Sequence, residues 1–203
     1  MKPTCPGYNV GVEIVLALGL GVGLASVAGV RAFLPLALSA LFAALGVFDL
    51  SASGVAVNVW ALFGGLAGLS VLEIVLDKIR ALERVFNWIM VPIRAASGGL
   101  VFGLASAAGL GADAAPYLIA GAVVAGAVAV LKVLLRPSAR DASSGVSTSF
   151  LSLIEDAVAL VGGLIGAFVP LLPALLVAFL LFFYARIRKR RGRKFGGLRI
   201  LGD

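Results

Sequence analysis

The stretch that decides the fold is VLEIVLDKIR, Val71–Arg80, because it puts ionisable residues at the end of a long apolar run. The run Val57–Lys78 is long enough to cross a bilayer, since a membrane-spanning helix needs about 20 consecutive apolar residues. Glu73 and Asp77 are four residues apart, so they share one face of that helix. Charge at this depth is costly, which makes the stretch a candidate for a functional site.

The composition extends this interpretation to the whole chain. Of the 203 residues, 61% are hydrophobic and 13% are charged, whereas soluble domains have about 25% charged residues. Repeated apolar runs with short polar links predict an all-α fold, a polytopic transmembrane helix bundle of six to seven segments. We expect an N-terminal segment at residues 1–9, a transmembrane helical domain at residues 10–187 and a basic cytoplasmic tail at residues 188–203.

The first apolar run, Val10–Phe48, is too long for one crossing, since a helix of that length would measure roughly 58 Å. We place the break at Ala28–Arg31, which gives the segments Val10–Ala28 and Arg31–Phe48. The link Arg80–Asn87 is polar, and Ser138–Ser149 is a loop rich in serine and alanine. The remaining predicted segments are Val57–Lys78, Trp88–Leu110, Tyr117–Leu135, Phe150–Phe168 and Leu171–Ala185.

Two patterns leave alternatives open. The glycines of GLGVGL, Gly19–Leu24, indicate either close helix packing or a broken or re-entrant N-terminal segment that lines a cavity. The stretch Ala32–Gly46 is similar to Ala167–Leu181. That similarity indicates an internal repeat of the kind many transporters use, or simply the low complexity of apolar sequence.

Basic residues predict the orientation. Eight of the 17 lie in the tail Arg186–Arg199, which the positive-inside rule places in the cytoplasm. Every basic residue except Lys2 then falls on the cytoplasmic side, and the only charged residues of the outer loops are Asp49 and Asp113. If Val10–Ala28 re-enters the membrane, the N-terminus is cytoplasmic instead. The aromatic residues expected at the two interfaces are Tyr8, Trp60 and Tyr117 outside, with Trp88 and Tyr184 inside.

The composition predicts which partners the protein binds and which kinds of site it lacks. The partners we expect are the lipid bilayer and, at the basic tail, anionic lipid headgroups; nucleic acid is not expected, and a homo-oligomer is left open. The chain has no histidine and one cysteine, Cys5, so the commonest general base and metal ligand are absent. We therefore predict no cofactor, no metal site and no catalytic residue. A lipid-modifying enzyme acting through Glu155 and Asp156 is the weakest alternative.

A second charged stretch matches the first. Aligning Val71–Lys78 with Val130–Pro137 pairs Glu73 with Lys132 and Asp77 with Arg136, at equal depth on two parallel helices. The predicted ligand-binding or ion-pathway site comprises these four residues together with Arg31, Arg94, Glu155 and Asp156. Such charges either lock helices together or line a polar pathway.

Four motifs resemble one known family. They are GVRAFLPL at Gly29–Leu36, LEIVLDKI at Leu72–Ile79, the pair Arg136-Pro137 and SLIEDAVAL at Ser152–Leu160. The chain resembles, over about Gly29–Pro170, a bacterial membrane family described as a domain of unknown function, number four-one-two-six. In that family a proline typically follows the acidic stretch, where this chain has Arg80. The resemblance implies a multi-pass protein of the bacterial inner membrane and brings no activity.

Two functions remain in view. The first is a small transporter or channel-like protein with a charged site on the cytoplasmic side, for an anionic solute or a lipid phosphate. The alternative is a structural or regulatory membrane protein without transport activity, whose charges only lock the helix packing.

Overall fold

The computed structural model describes residues 10–46, 58–79, 83–110, 114–136, 148–166 and 168–194. These residues form seven α-helices and no strand, which confirms the all-α class. The predicted N-terminal segment, residues 1–9, and the end of the basic tail, residues 195–203, lie outside the described residues. The helices are α1 Val10–Val30, α2 Phe33–Ala44, α3 Val59–Asp77, α4 Glu83–Leu110, α5 Ala114–Leu135, α6 Thr148–Gly166 and α7 Leu172–Lys194.

The predicted break in the first apolar run is confirmed. Helix α1 ends at Val30, α2 begins at Phe33, and Arg31 lies between them. Pro35 lies in the first turn of α2, where a proline removes no helical hydrogen bond. With 12 residues, α2 is only about 18 Å long, too short to cross a bilayer by itself.

Two predicted boundaries are wrong. The segment Arg80–Asn87 was expected to be a polar link, but α4 begins at Glu83 and Asn87 lies inside it, buried. The last segment was expected to end at Ala185, but α7 continues to Lys194. Arginine and lysine have high helix propensity, so charge alone does not end a helix. The predicted loop Ser138–Ser149 lies outside the described residues apart from its last two, which begin α6.

Helix α1 is the centre of the bundle and packs against α4, α5, α6 and α7. Small residues make this close approach possible. A Cβ on Gly21 would meet the ring of Phe102, and a Cβ on Gly23 would meet the backbone oxygen of Pro170. Since α1 is one continuous helix through its glycines, these contacts support the packing interpretation of GLGVGL, and no unwound segment forms there. A re-entrant course of this helix stays a prediction.

Helix α3 lies at the periphery. It packs mainly along α2, and its buried residues are Ser70, Glu73 and Asp77. No large apolar side chain of α3 is buried, and Leu69, Val71, Leu72 and Val75 are exposed. The internal repeat stays a prediction: Ala32–Gly46 forms α2 by itself, whereas its counterpart includes the turn at residues 168–171 before α7.

The distribution of side chains is that of a membrane protein. Large charged side chains are fully buried, while large apolar ones are exposed on α3, α5 and α7. Three helices are long and apolar enough to cross a membrane: α3, Val85–Ser106 within α4, and Ala115–Leu135 within α5. Ile14–Val30 and Phe33–Ala44 form shorter apolar helices. Helices α6 and α7 are not among these three.

Candidate functional site

The eight charged residues predicted for the site lie together at one end of the bundle, where we call them the charged core. The C-terminal halves of α1, α3, α5 and α7 meet the N-terminal halves of α2, α4 and α6 there. The core holds four cations and four carboxylates. Its members are Arg31, Glu73, Asp77, Arg94, Lys132, Arg136, Glu155 and Asp156, linked through ion pairs and hydrogen bonds.

Arg31, at the break between α1 and α2, is the residue that joins most of these groups. Its Nη2 lies 3.0 Å from Asp77 Oδ2, 2.6 Å from Asp156 Oδ1 and 3.9 Å from Glu155 Oε2. The same Nη2 donates to Ser152 Oγ at 3.2 Å. Because Arg31 is 0% exposed, these carboxylates and Ser152 replace the water that would otherwise solvate its charge.

The predicted pair of Asp77 and Arg136 is confirmed. Arg136 Nη1 lies 3.1 Å from both carboxylate oxygens of Asp77. Asn87 Nδ2 also donates to Asp77 Oδ1 at 3.0 Å, so the last residue of α3 is tied to α4 and to the end of α5.

The predicted pair of Glu73 and Lys132 is wrong. Glu73 Oε1 lies 3.3 Å from Arg94 Nη2, and Lys132 Nζ lies 3.0 Å from Glu155 Oε2. Both residues lie in the charged core, but α3 packs on α2 rather than on α5. Glu73 therefore faces α4 and the start of α2.

Side chains of the core also satisfy the backbone at the helix break. A broken helix leaves N–H and C=O groups without helical partners, and buried groups of this kind are costly unless they are paired. Lys132 Nζ donates to the carbonyl of Val30 at 3.0 Å. The amides of Ala32 and Phe33 donate to Glu73 Oε1 and Oε2 at 3.2 and 3.3 Å. Ser97 Oγ donates to the carbonyl of Ala32.

Comparison with known proteins gives a family. Residues 18–190 match the family described as Domain of unknown function (DUF4126). The chain belongs to this family. The match includes all eight residues of the charged core, and it confirms the resemblance found in the four sequence motifs. No curated protein and no solved structure matches the chain.

Four polar residues of this DUF4126 core were not predicted as site members: Asn87, Ser97, Ser152 and Tyr184. Tyr184 was assigned to the inner aromatic belt, but its side chain is buried and its hydroxyl donates to Glu155 Oε1 at 2.5 Å. Helical spacing was the signal that could have found the others. Asn87 and Ser97 lie seven before and three after Arg94, and Ser152 lies three before Glu155, so each shares a face with a core charge.

Some N–H donors of this DUF4126 core have no acceptor among the described residues. Among the described residues, Nε and Nη1 of Arg31 and Nε of Arg94 have no hydrogen-bond partner, although both side chains are 0% exposed. A buried donor without an acceptor is costly. These N–H groups are therefore available to an anion or to water. No group of histidine, cysteine, aspartate or glutamate within the described ranges has the arrangement of a metal site.

Proposed function

We propose that this protein is a small membrane transport protein whose charged core binds an anionic solute. One observation carries the proposal: Arg31 and Arg94 are fully buried and keep donor groups without partners. Ionisable side chains within membrane segments mark substrate or ion pathways more often than they serve packing alone. Arginine is also the residue best suited to oxyanions, because its donors form a planar fork.

Charge balance limits what can enter such a site. Four cations and four carboxylates leave the core formally neutral, so an added anion would leave one uncompensated charge in a low-dielectric setting. We therefore expect an anion to enter with a proton, or to take the place of one of the protein's own carboxylates.

A structural role is the second candidate, and a specific observation favours it as well. The core satisfies the backbone groups at the helix break through Glu73, Ser97 and Lys132. In that case the same side chains only fix the position of α2 relative to α1, α3, α4 and α5, and no solute moves.

The test of transport uses Arg94→Lys in proteoliposomes. Lysine keeps one positive charge beside Glu73 but lacks the spare donors of the guanidinium. We expect swelling rates in isosmotic potassium acetate or potassium phosphate, with valinomycin to carry K⁺ in with the anion, to fall about tenfold, as for the loss of one hydrogen bond to a charged group, while the melting temperature changes little. Arg186→Lys, on the exposed part of α7, should keep the wild-type rate. If wild-type vesicles swell no faster than empty ones, the transport proposal is rejected and the structural role remains.

The orientation is a further proposal: the protein lies in the bacterial inner membrane, with its C-terminus in the cytoplasm. The positive-inside rule supports it, since α7 ends in a basic run beside the charged core. In a background with Cys5→Ser, we expect Arg188→Cys to react with an impermeant maleimide only in inverted vesicles. Asn58→Cys, at the opposite end of α3, should react only in spheroplasts. The reverse pattern would reject this orientation.

Two partners are proposals of the same kind. Arg186, Arg188 and Lys189 are exposed on α7, which supports binding of anionic lipid headgroups. The low burial of α3 supports a homo-oligomer, in which a second copy would cover its apolar face. Native mass spectrometry of the purified protein measures both retained anionic lipid and the number of subunits.

A further inference from the structure

The carboxylate of Glu73 lies in surroundings that resemble an anion-binding site. It accepts the amides of Ala32 and Phe33, at the N-terminus of α2, at 3.2 and 3.3 Å. Its Oε1 also accepts Arg94 Nη2 at 3.3 Å. Helix N-termini bind anions because their first N–H groups are free and the helix dipole is positive there.

Arg94 provides the second, independent sign of a ligand. Its side chain is 0% exposed and reaches Glu73 with one nitrogen, while its Nε has no acceptor among the described residues. Asn87 holds the other side of the guanidinium by accepting from Nη1 at 3.1 Å. Arg94 therefore offers more N–H donors than the carboxylate of Glu73 accepts.

Glu73 also lies on a helix that has few contacts with most of the bundle, apart from those of Asp77 at its end. Helix α3 packs chiefly on α2, and the rest of its buried set is Ser70 and Asp77. Few apolar contacts hold α3 to α1, α4 and α5, and elements with few buried contacts open most easily. Withdrawal of Glu73 would expose the two amides and Arg94 without disturbing the packing of α1 against α4 and α5.

We propose that Glu73 occupies, in this structure, the binding site of a carboxylate-bearing solute, formed by the amides of Ala32 and Phe33 together with Arg94. The solute's carboxylate exchanges with that of Glu73. This deepens the proposed function by naming the class of its anionic solute.

The geometry and the charge both favour a carboxylate. The site offers two N–H donors to one carboxylate oxygen and one N–H donor to the other. This arrangement suits a planar group with two acceptor atoms. A carboxylate that replaces Glu73 brings the same single charge, so the core stays balanced. A phosphate brings a third acceptor oxygen and up to one further charge, for which the balanced core holds no free cation.

The experiment removes Glu73 and supplies the carboxylate as acetate. Purified full-length Glu73→Ala is unfolded thermally in detergent, with Trp60 and Trp88 as fluorescent reporters, in increasing sodium acetate at constant ionic strength. We expect its melting temperature to rise saturably, by about 3 to 6 °C at an acetate concentration ten times the Kd. Sodium chloride should give no such rise, and neither should acetate with Glu73→Gln, whose amide fills the same space.

The matched control is the double variant Glu73→Ala/Arg94→Ala, which removes both members of the pair and leaves no buried charge uncompensated. We expect it to fold and to show no acetate-dependent rise. An equal rise in this variant, no rise in Glu73→Ala, or a rise with phosphate but not acetate would each overturn the proposal. A Glu73→Ala protein that stays unfolded in acetate would also overturn the proposal.

This readout is independent of flux. If acetate stabilises Glu73→Ala but the wild-type protein moves no solute, the transport proposal is rejected and the binding-site proposal stands. Flux of acetate in the wild type, together with no stabilisation of Glu73→Ala, would reject the site and keep transport.

Discussion

Arg31→Ala is expected to lower the free energy of unfolding by about 3–5 kcal/mol, because it removes a buried cation from its carboxylates. Arg31 is 0% exposed and contacts three carboxylates through one nitrogen. Its removal leaves Asp77 and Glu155 with fewer cations, and the contact that Asp156 makes with Arg31 Nη2 is lost. The substitution also opens a cavity at the helix break, which adds to the cost.

Thermal unfolding and size-exclusion chromatography in detergent measure this effect. Arg186→Ala is the matched control, because Arg186 is exposed on α7 and surface substitutions usually change stability by less than about 0.5 kcal/mol. Arg31→Lys should fall between the two, since lysine keeps the charge but cannot serve Asp77, Asp156 and Ser152 from one planar group. An Arg31→Ala protein as stable as the Arg186→Ala protein would show that the core does not hold the break together.

The break at Arg31 was predictable because it depends on length alone. A run from Val10 to Phe48 cannot cross a bilayer once as a single helix, and the glycine and arginine at 29 and 31 mark where it ends. Asp77 and Arg136 were also paired correctly, because the depth of each along its helix follows from its place in the sequence.

Pairing across helices was only partly predictable. Depth does not say which helix lies beside which, and α3 packs on α2 rather than on α5. Glu73 therefore pairs with Arg94, and Lys132 with Glu155. Tyr184 was assigned to an aromatic belt for a related reason: a tyrosine near a helix end looks interfacial until the helix that covers it is known.

Lys132→Met and Glu155→Gln are each expected to lower the free energy of unfolding by about 3–5 kcal/mol, since each removes one member of a buried ion pair. The pair lies 3.0 Å apart, and both side chains are 0% exposed. The double variant should be more stable than either single variant, because it removes both members of the ion pair, although the carbonyl of Val30 still lacks the donor that Lys132 Nζ supplies. The amide introduced by Glu155→Gln still offers an acceptor to the hydroxyl of Tyr184, and Arg136 keeps Asp77.

The double variant also separates the two proposed functions. If the core only locks helices, Lys132→Met/Glu155→Gln should melt above either single variant and should keep any biological readout. If the core carries a solute, the variant should fold and yet lose acetate-driven swelling of proteoliposomes, because a buried charged pathway needs groups that exchange partners. A double variant less stable than either single one would contradict both expectations, since it would mean that the contacts of Lys132 with Val30 and of Glu155 with Arg136 outweigh the contact between Lys132 and Glu155.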